Sequence, residues 1–483
     1  MQMKEQFKTP LLDALKAYHK REVIPFDVPG HKHGKGIKEL TEFFGEKIMQ
    51  VDVNSMKPLD NISNPIGVIK EAEDLMAKAY GTDHAYFLVN GTTSAVQAMI
   101  MSVLNPNEKI LMPRNAHKSA INALILSGAI PVYLQPEIDD NLGFAVSVSV
   151  EGIKEALDQN EDIKAVFLMN PTYYGTVSDL KEIVKICHDR DIPLLIDEAH
   201  GAHFKFHEDL PLSGAEIGAD MVAVSLHKTG GALTQSSALL VNDGYLDKNR
   251  IRHIINLTQT TSASYLLMTS LDVCRKNLMV NGQEILTEVI ELVEDARIRI
   301  NKIDGLYAFG KEVIGKNSVI DFDVTKLGVN VTGIGLTGLK AYDILRDEYN
   351  IQVELGDMYN ILAIVSLGDS KESLNALVEA LEDMADKYRD RSKKVLKVSL
   401  KNPEVVVSPR EAFYSKTVSL PIKDAIGKIS GEAVMAYPPG IPIISQGERI
   451  TQDTIQYIEL LKSQESMLTG TKDPYVNNIE VLI

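Results

Sequence analysis

The sequence predicts an α/β fold built on a mainly parallel seven-stranded sheet, followed by a smaller α+β domain and a C-terminal module. Three observations predict it. Seven short apolar runs recur through the first half of the chain, most of them separated by stretches of helical spacing. That is the pattern of strands covered on both faces. Five of the runs end in polar residues, where ligands gather in such sheets. The chain has 483 residues, 45% hydrophobic and 24% charged, which excludes a mostly disordered protein.

The elements follow in order. Residues 1–65 read as an irregular wrapped arm, because Pro25, Pro29, Gly30, Gly34, Gly36, Pro58 and Pro65 punctuate them. Residues 66–280 read as the large domain. Its runs are Ala85–Val89, Lys109–Met112, Ile130–Leu134, Ala165–Met169, Ile192–Ile196, Met221–Ser225 and Ala238–Val241. Helical spacing covers Gly91–Leu104, His117–Ser127 and Leu180–Asp189. Residues 281–392 read as the small α+β domain. A long helix is expected over Glu284–Ile303, strands at Val319–Val324, Ile351–Val353 and Leu362–Val365, and helices near Gly338–Tyr349 and over Lys371–Tyr388. A charged connector, Arg389–Lys401, leads into the C-terminal module, residues 393–483, with its Tyr437-Pro438-Pro439-Gly440-Ile441-Pro442 string.

Charge and cysteine usage narrow the function. Fifty basic against 66 acidic side chains leave a net charge of −16, which repels phosphate backbones and argues against nucleic acid. Two cysteines, Cys187 and Cys274, make no disulfide framework and fit a reducing cytoplasm. The start, MQMKEQFKTPLL, has no signal-peptide core, and no 18-residue apolar run spans a membrane.

Four motifs carry chemistry. Lys228 in Ser225-Leu226-His227-Lys228 follows a buried strand. Burial lowers a lysine's pKa and makes it a nucleophile toward carbonyls, although a surface turn lysine has the same local sequence. Asp197 ends a buried run and needs a cationic partner, which a pyridinium nitrogen would supply. A helix cap would also use it. Gly91-Thr92-Thr93-Ser94 opens a helix and suits either a phosphate or an ordinary N-cap. His117 follows the second run, where an imidazole stacks on a flat cofactor or starts a helix. Together the four are the groups that bound pyridoxal phosphate needs.

Two other patterns compete. Asp197-Glu198-Ala199-His200 spells a helicase motif, but no phosphate loop of the form G-x-x-x-x-G-K-[ST] accompanies it. His200, His203 and His207 suggest metal spacing. Phe204 and Phe206 between them point to extended structure and away from a zinc site.

Longer strings carry a family resemblance. They are Pro29-Gly30-His31-Lys32-His33-Gly34, Pro113-Arg114-Asn115-Ala116-His117-Lys118-Ser119, Asp197-Glu198-Ala199-His200-Gly201, Ser225-Leu226-His227-Lys228, Thr260-Thr261-Ser262-Ala263-Ser264-Tyr265 and the proline string at 437–442. The chain resembles the Orn/Lys/Arg decarboxylases, pyridoxal-phosphate enzymes with the aspartate-aminotransferase fold, and in particular the short bacterial arginine decarboxylases. The resemblance covers nearly the whole chain.

It implies that Lys228 carries the cofactor aldehyde, Asp197 pairs with the ring nitrogen and His117 stacks on the ring. Thr92, Thr93, Ser94, Ser225 and His227 would hold the phosphate, and Ala199 and His200 would border the cofactor. Thr261, within Thr260–Ser262, would reach the site of a neighbouring subunit, since family sites are shared in homodimers or higher homo-oligomers. Two departures stand out: Ala263 where the segment often has proline, and His200 where long members carry a bulkier aromatic. The implied reaction removes CO2 from a basic L-amino acid, arginine giving agmatine for polyamine biosynthesis. Lysine or ornithine is the alternative substrate, and transamination the alternative reaction. Lys228 and His227 both remain open as the donor that reprotonates Cα. Asp27, Asp60, Glu354 and Glu448 are candidate partners for the distal cation.

Overall fold

Seven apolar segments pair into one sheet in the computed structural model, which describes residues 2–390, 403–436, 441–464 and 466–483. They are β1 (His84–Leu88), β2 (Lys109–Pro113), β3 (Ile130–Leu134), β4 (Ile163–Met169), β5 (Leu194–Asp197), β6 (Met221–Val224) and β7 (Ser237–Val241). The order is β1-β7-β6-β5-β4-β2-β3. The start of the C-terminal module at 393, most of the expected connector and Tyr437–Gly440 lie outside the described residues.

The sheet is mainly parallel. The pairs β2–β3, β2–β4 and β5–β6 are parallel, while β7 runs antiparallel to β1 and to β6. The reason is the connection before β7, whose only helix is the four-residue Leu226–Thr229. A parallel return needs a full crossover element, and this segment has none.

The chain divides into two compact units, Met1–Ser102 with Leu195–Thr287, and Val103–Leu194 with Glu288–Ile483. In the first, the residues expected to be irregular hold helices at Pro10–His19, Lys38–Phe44 and Glu46–Val51. Their breakers lie between the helices, and Pro10 sits in a first turn, where its missing N–H costs nothing. Leu11, Leu15 and Tyr18 bury one face. Arg275, fully buried, donates to the carbonyls of Gln6 and Lys8, and Asp272 accepts from the Leu11 N–H. These bonds belong to a helix, Tyr265–Ile300, that starts well before its expected start at Glu284. The buried Asp272–Arg275 ion pair interrupts the apolar stripe that would have revealed it.

In the second unit, a four-stranded antiparallel sheet joins Tyr307–Ala308, Lys326–Asn330, Asn360–Ile364 and Leu355–Gly356. The strand expected at Val319–Val324 forms only as Asp321–Phe322, paired with Thr176–Val177, and Lys326–Asn330 is a further strand that was not expected. Lys326 is fully buried there because Asp323 neutralises it at 3.1 Å. The strand expected at Ile351–Val353 forms instead at Leu355–Gly356. The helices Gly338–Tyr349 and Lys371–Tyr388 form as expected. A last core gathers Val434, Ile443, Ile444, Ile455, Ile458 and Val481. Among the described residues, no helix is long and apolar enough to cross a membrane.

Candidate active site

Strand β5 is buried along its whole length and ends on Asp197. Its parallel neighbour β6 places Ala223 opposite Asp197. The chain leaves β6 through Ser225 into the helix Leu226–Thr229, which carries Lys228. Two turns at adjacent strand ends therefore face one another. Across them, Lys228 Nζ lies 2.8 Å from His200 Nε2.

Asp197 is only 5% exposed. Its Oδ1 accepts the Ala199 N–H at 3.1 Å. Burial pushes this carboxyl up from the usual range, while the Lys228 charge and the Ala199 N–H pull it back. A buried acid balanced against a lysine suits a further cationic group such as a protonated ring nitrogen. The adjacent Glu198 has a different environment. Ser213 Oγ and the Gly214 N–H each donate to it at 2.6 Å, and burial pushes it up to about 8.

The second cluster is made of hydroxyls. Thr92 Oγ1 hydrogen-bonds Ser225 Oγ, and Ser237 Oγ lies 2.9 Å from it. Thr92 sits in the first turn of the helix Gly91–Val103, whose leading N–H groups have no partner within the helix. Gly91 has φ +70°, and the space its Cβ would enter is open. Helix N–H groups, dipole and hydroxyls around open space are the donor set a phosphate takes.

Other expected residues are placed as follows. Thr93 is half-buried beside Thr92, and Ser94 Oγ donates back to the Gly91 carbonyl at 2.9 Å. The His227 Nδ1–H donates to the Ser236 carbonyl at 3.1 Å, which fixes the ring. Ala199 occupies the turn between Asp197 and His200. Thr261 is exposed on the surface of the first unit. His117 lies in the second unit, where it caps the helix Lys118–Ser127 through Ser119.

Ser237 is the residue sequence reasoning missed. It starts a strand, which in a parallel sheet would put it at the end away from the ligands. Because β7 is antiparallel, that start lies beside the ends of β1 and β6. Gln259 was also missed. It pins the end of β1 by accepting the Val89 N–H at 3.1 Å.

Two expectations need correcting. Phe204–Phe206 is a 3-10 turn rather than extended, and His207 Nε2 meets Thr287 Oγ1 at 2.9 Å. Of the four candidates for a distal cation, two are already engaged. Asp60 accepts the N–H groups of Asn61, Ile66, Gly67 and Ile69. Glu448 is buried against Arg114 at 2.7 Å. Asp27 and Glu354 are exposed.

The chain matches two adjoining families. Residues 9–373 match the major domain of the Orn/Lys/Arg decarboxylases, and residues 392–473 match their C-terminal domain. It is 44% identical to an arginine decarboxylase of Bacillus anthracis, over 99% of this chain and 98% of that one. It is 42% identical to an arginine decarboxylase of Bacillus subtilis, with the same coverage. Among solved structures, the lysine decarboxylase LdcF of Francisella novicida superposes with a TM-score of 0.84 at 22% identity, covering 99% of this chain and 82% of that one. At that identity the likeness shows the fold.

Proposed function

The chain belongs to the Orn/Lys/Arg decarboxylase family, and from that premise we propose that it is a pyridoxal-phosphate enzyme converting L-arginine to agmatine and CO2. The observation that carries the reading is the buried Asp197 carboxylate with Lys228 as its cationic partner. The relatives from the two bacilli support arginine as the substrate. Two buried cysteines that form no disulfide fit a cytoplasmic enzyme, and the reaction suits polyamine biosynthesis.

Bound at this site, pyridoxal phosphate supplies an electron sink for the pair released when the Cα–carboxylate bond breaks. The chain would supply the rest. Lys228 Nζ would hold the cofactor through its aldehyde carbon and release it to the substrate amine. Asp197 would keep negative charge near the ring nitrogen and so favour its protonated form. The hydroxyls of Thr92, Ser225 and Ser237, with the first N–H groups of the Gly91–Val103 helix, would hold the phosphate. Thr93 and Ser94 belong to the same turn, and by the family resemblance His117 would stack on the ring. With the His227 ring anchored on Ser236, Lys228 is the better placed donor of the proton that replaces the carboxylate on Cα.

The working form is a homodimer. Phe26 is 93% exposed and Phe43 82%, and Ile24 and Ile66 also lie open in the same N-terminal stretch. A second copy of the chain would cover such apolar surface. The exposed Thr260–Ser262 segment is then available to the partner's site.

The test offers the cofactor-loaded protein L-arginine, L-lysine and L-ornithine separately and measures CO2 and amine release. Agmatine from arginine, lost in Lys228→Ala, is the expected result. Amine from lysine or ornithine alone overturns the substrate, and no CO2 from any of them overturns the reaction.

A further inference from the structure

We propose that His200 is the proton partner of Lys228, a positioning residue that takes a proton from Nζ and returns it. The inference rests on reading Lys228 as the lysine that holds the cofactor. It goes further by assigning the group that switches this lysine between cation and nucleophile.

The geometry is direct. His200 Nε2 lies 2.8 Å from Lys228 Nζ, and the imidazole is 2% exposed. Both side chains stand at neighbouring strand ends of the same unit. Asp197, three residues before His200, favours positive charge on the lysine. An ammonium is no nucleophile, so its proton must leave before Nζ can attack a carbonyl. Lys228 is half-buried, and the His200 end of the contact is closed to bulk water. The other imidazole of the motif, His227, has committed its Nδ1–H to the Ser236 carbonyl.

His200 answers the need. An imidazole exchanges protons near neutral pH, whereas an ordinary lysine holds its proton to about pH 10. In the step, one Nζ–H bond breaks and one N–H bond forms on Nε2. Lysine becomes the neutral amine and the imidazole becomes the cation. No electrons are gained or lost, and the reverse transfer restores the pair. The positive charge stays beside Asp197 throughout. Other titratable groups on the elements carrying the pair are Glu198 and His203 on one side and His227 on the other.

The test reads cofactor capture, not turnover. Apoprotein is mixed with pyridoxal phosphate across pH 5.5–9.5, and growth of the lysine-bound absorption band is timed. In His200→Gln the acid limb of the rate profile is expected to move up by at least about one pH unit, with capture at pH 7 slowed about tenfold or more. His200→Ala is expected to behave likewise and to recover on adding free imidazole. A profile that keeps its position in both variants, with no imidazole rescue, overturns the proposal and leaves His200 a packing residue. A Lys228→Ala protein that still forms the band would instead overturn the reading of Lys228, so the two failures are distinguishable. Circular dichroism of each variant confirms that the chain is folded.

Discussion

Leu88 and Ser237 stand opposite one another in the sheet, one ending β1 and the other starting the antiparallel β7. This pairing brings the Ser237 hydroxyl to 2.9 Å from Thr92 at a helix start. Ser237 thereby becomes part of the candidate phosphate cradle. Removing it is expected to weaken cofactor binding. One hydrogen bond is worth about 1 kcal/mol, so Ser237→Ala should raise the dissociation constant for pyridoxal phosphate about fivefold. Thr92→Val removes the hydroxyl that links Ser225 and Ser237 and should cost more. Equilibrium titration of the apoprotein measures both. Unchanged affinity in both variants would take these hydroxyls out of the cradle.

Glu198 gives the fold a pH dependence of its own. Folded, it keeps its proton up to about pH 8, against an ordinary carboxyl value of 4.5. Between those values the folded state binds a proton that the unfolded state has released. Stability from this group therefore falls as pH rises through that window, by at most about 1.4 kcal/mol per pH unit. Above pH 8 both states are ionised and the slope ends. Glu198→Gln keeps an acceptor for Ser213 and removes the titration. Urea unfolding at pH 5, 6, 7 and 8 should show a shallower fall in the variant. An identical slope would assign the dependence to another group.

How much of this was legible in the sequence depends on whether a feature is local. Asp197 and Lys228 were legible because each is a charged residue just beyond an apolar run. The parallel core of the sheet was legible for the same reason. The direction of β7 was not, since a strand's apolar pattern is the same read either way and only the missing crossover decides. Strand Lys326–Asn330 was hidden because its buried lysine reads as surface until Asp323 is placed beside it. The contact between His200 and Lys228 joins residues 28 apart in sequence. It exists only once β5 and β6 lie side by side.

The exposed N-terminal aromatics make a prediction about assembly. Phe43 lies in the last turn of the helix Lys38–Phe44, which buries none of its own residues. Replacing an exposed side chain leaves the core of the protomer intact. Phe43→Glu combined with Phe26→Glu is expected to weaken self-association at least about tenfold by placing charge in an apolar contact. Sedimentation at falling protein concentration should show the variant dissociating where the parent chain remains associated. Equal behaviour would move the interface elsewhere on the surface.

Arg114 and Glu448 separate a stability role from a specificity role. Arg114 Nη2 donates to Glu448 Oε2 at 2.7 Å, and Nη1 donates to the Pro442 carbonyl at 3.2 Å. The same Glu448 oxygen accepts the Ser445 N–H at 2.7 Å. The Arg114 side chain is 5% exposed and that of Glu448 1%. Burial pushes the Glu448 carboxyl up and Arg114 pulls it back. Removing one partner of such a pair leaves a buried charge without compensation, at a cost of about 3–5 kcal/mol. Glu448→Ala should therefore lower the urea midpoint of the second unit clearly. Because one oxygen of this carboxylate is already held by arginine, it is expected to have no share in reading the distal cation of the substrate. The ratio of kcat/KM for arginine over lysine should then stay within about twofold in Glu448→Gln, since losing a bidentate charge contact would shift it by about tenfold or more. A collapse of that ratio with stability unchanged would return Glu448 to the substrate site and leave Arg114 needing another explanation.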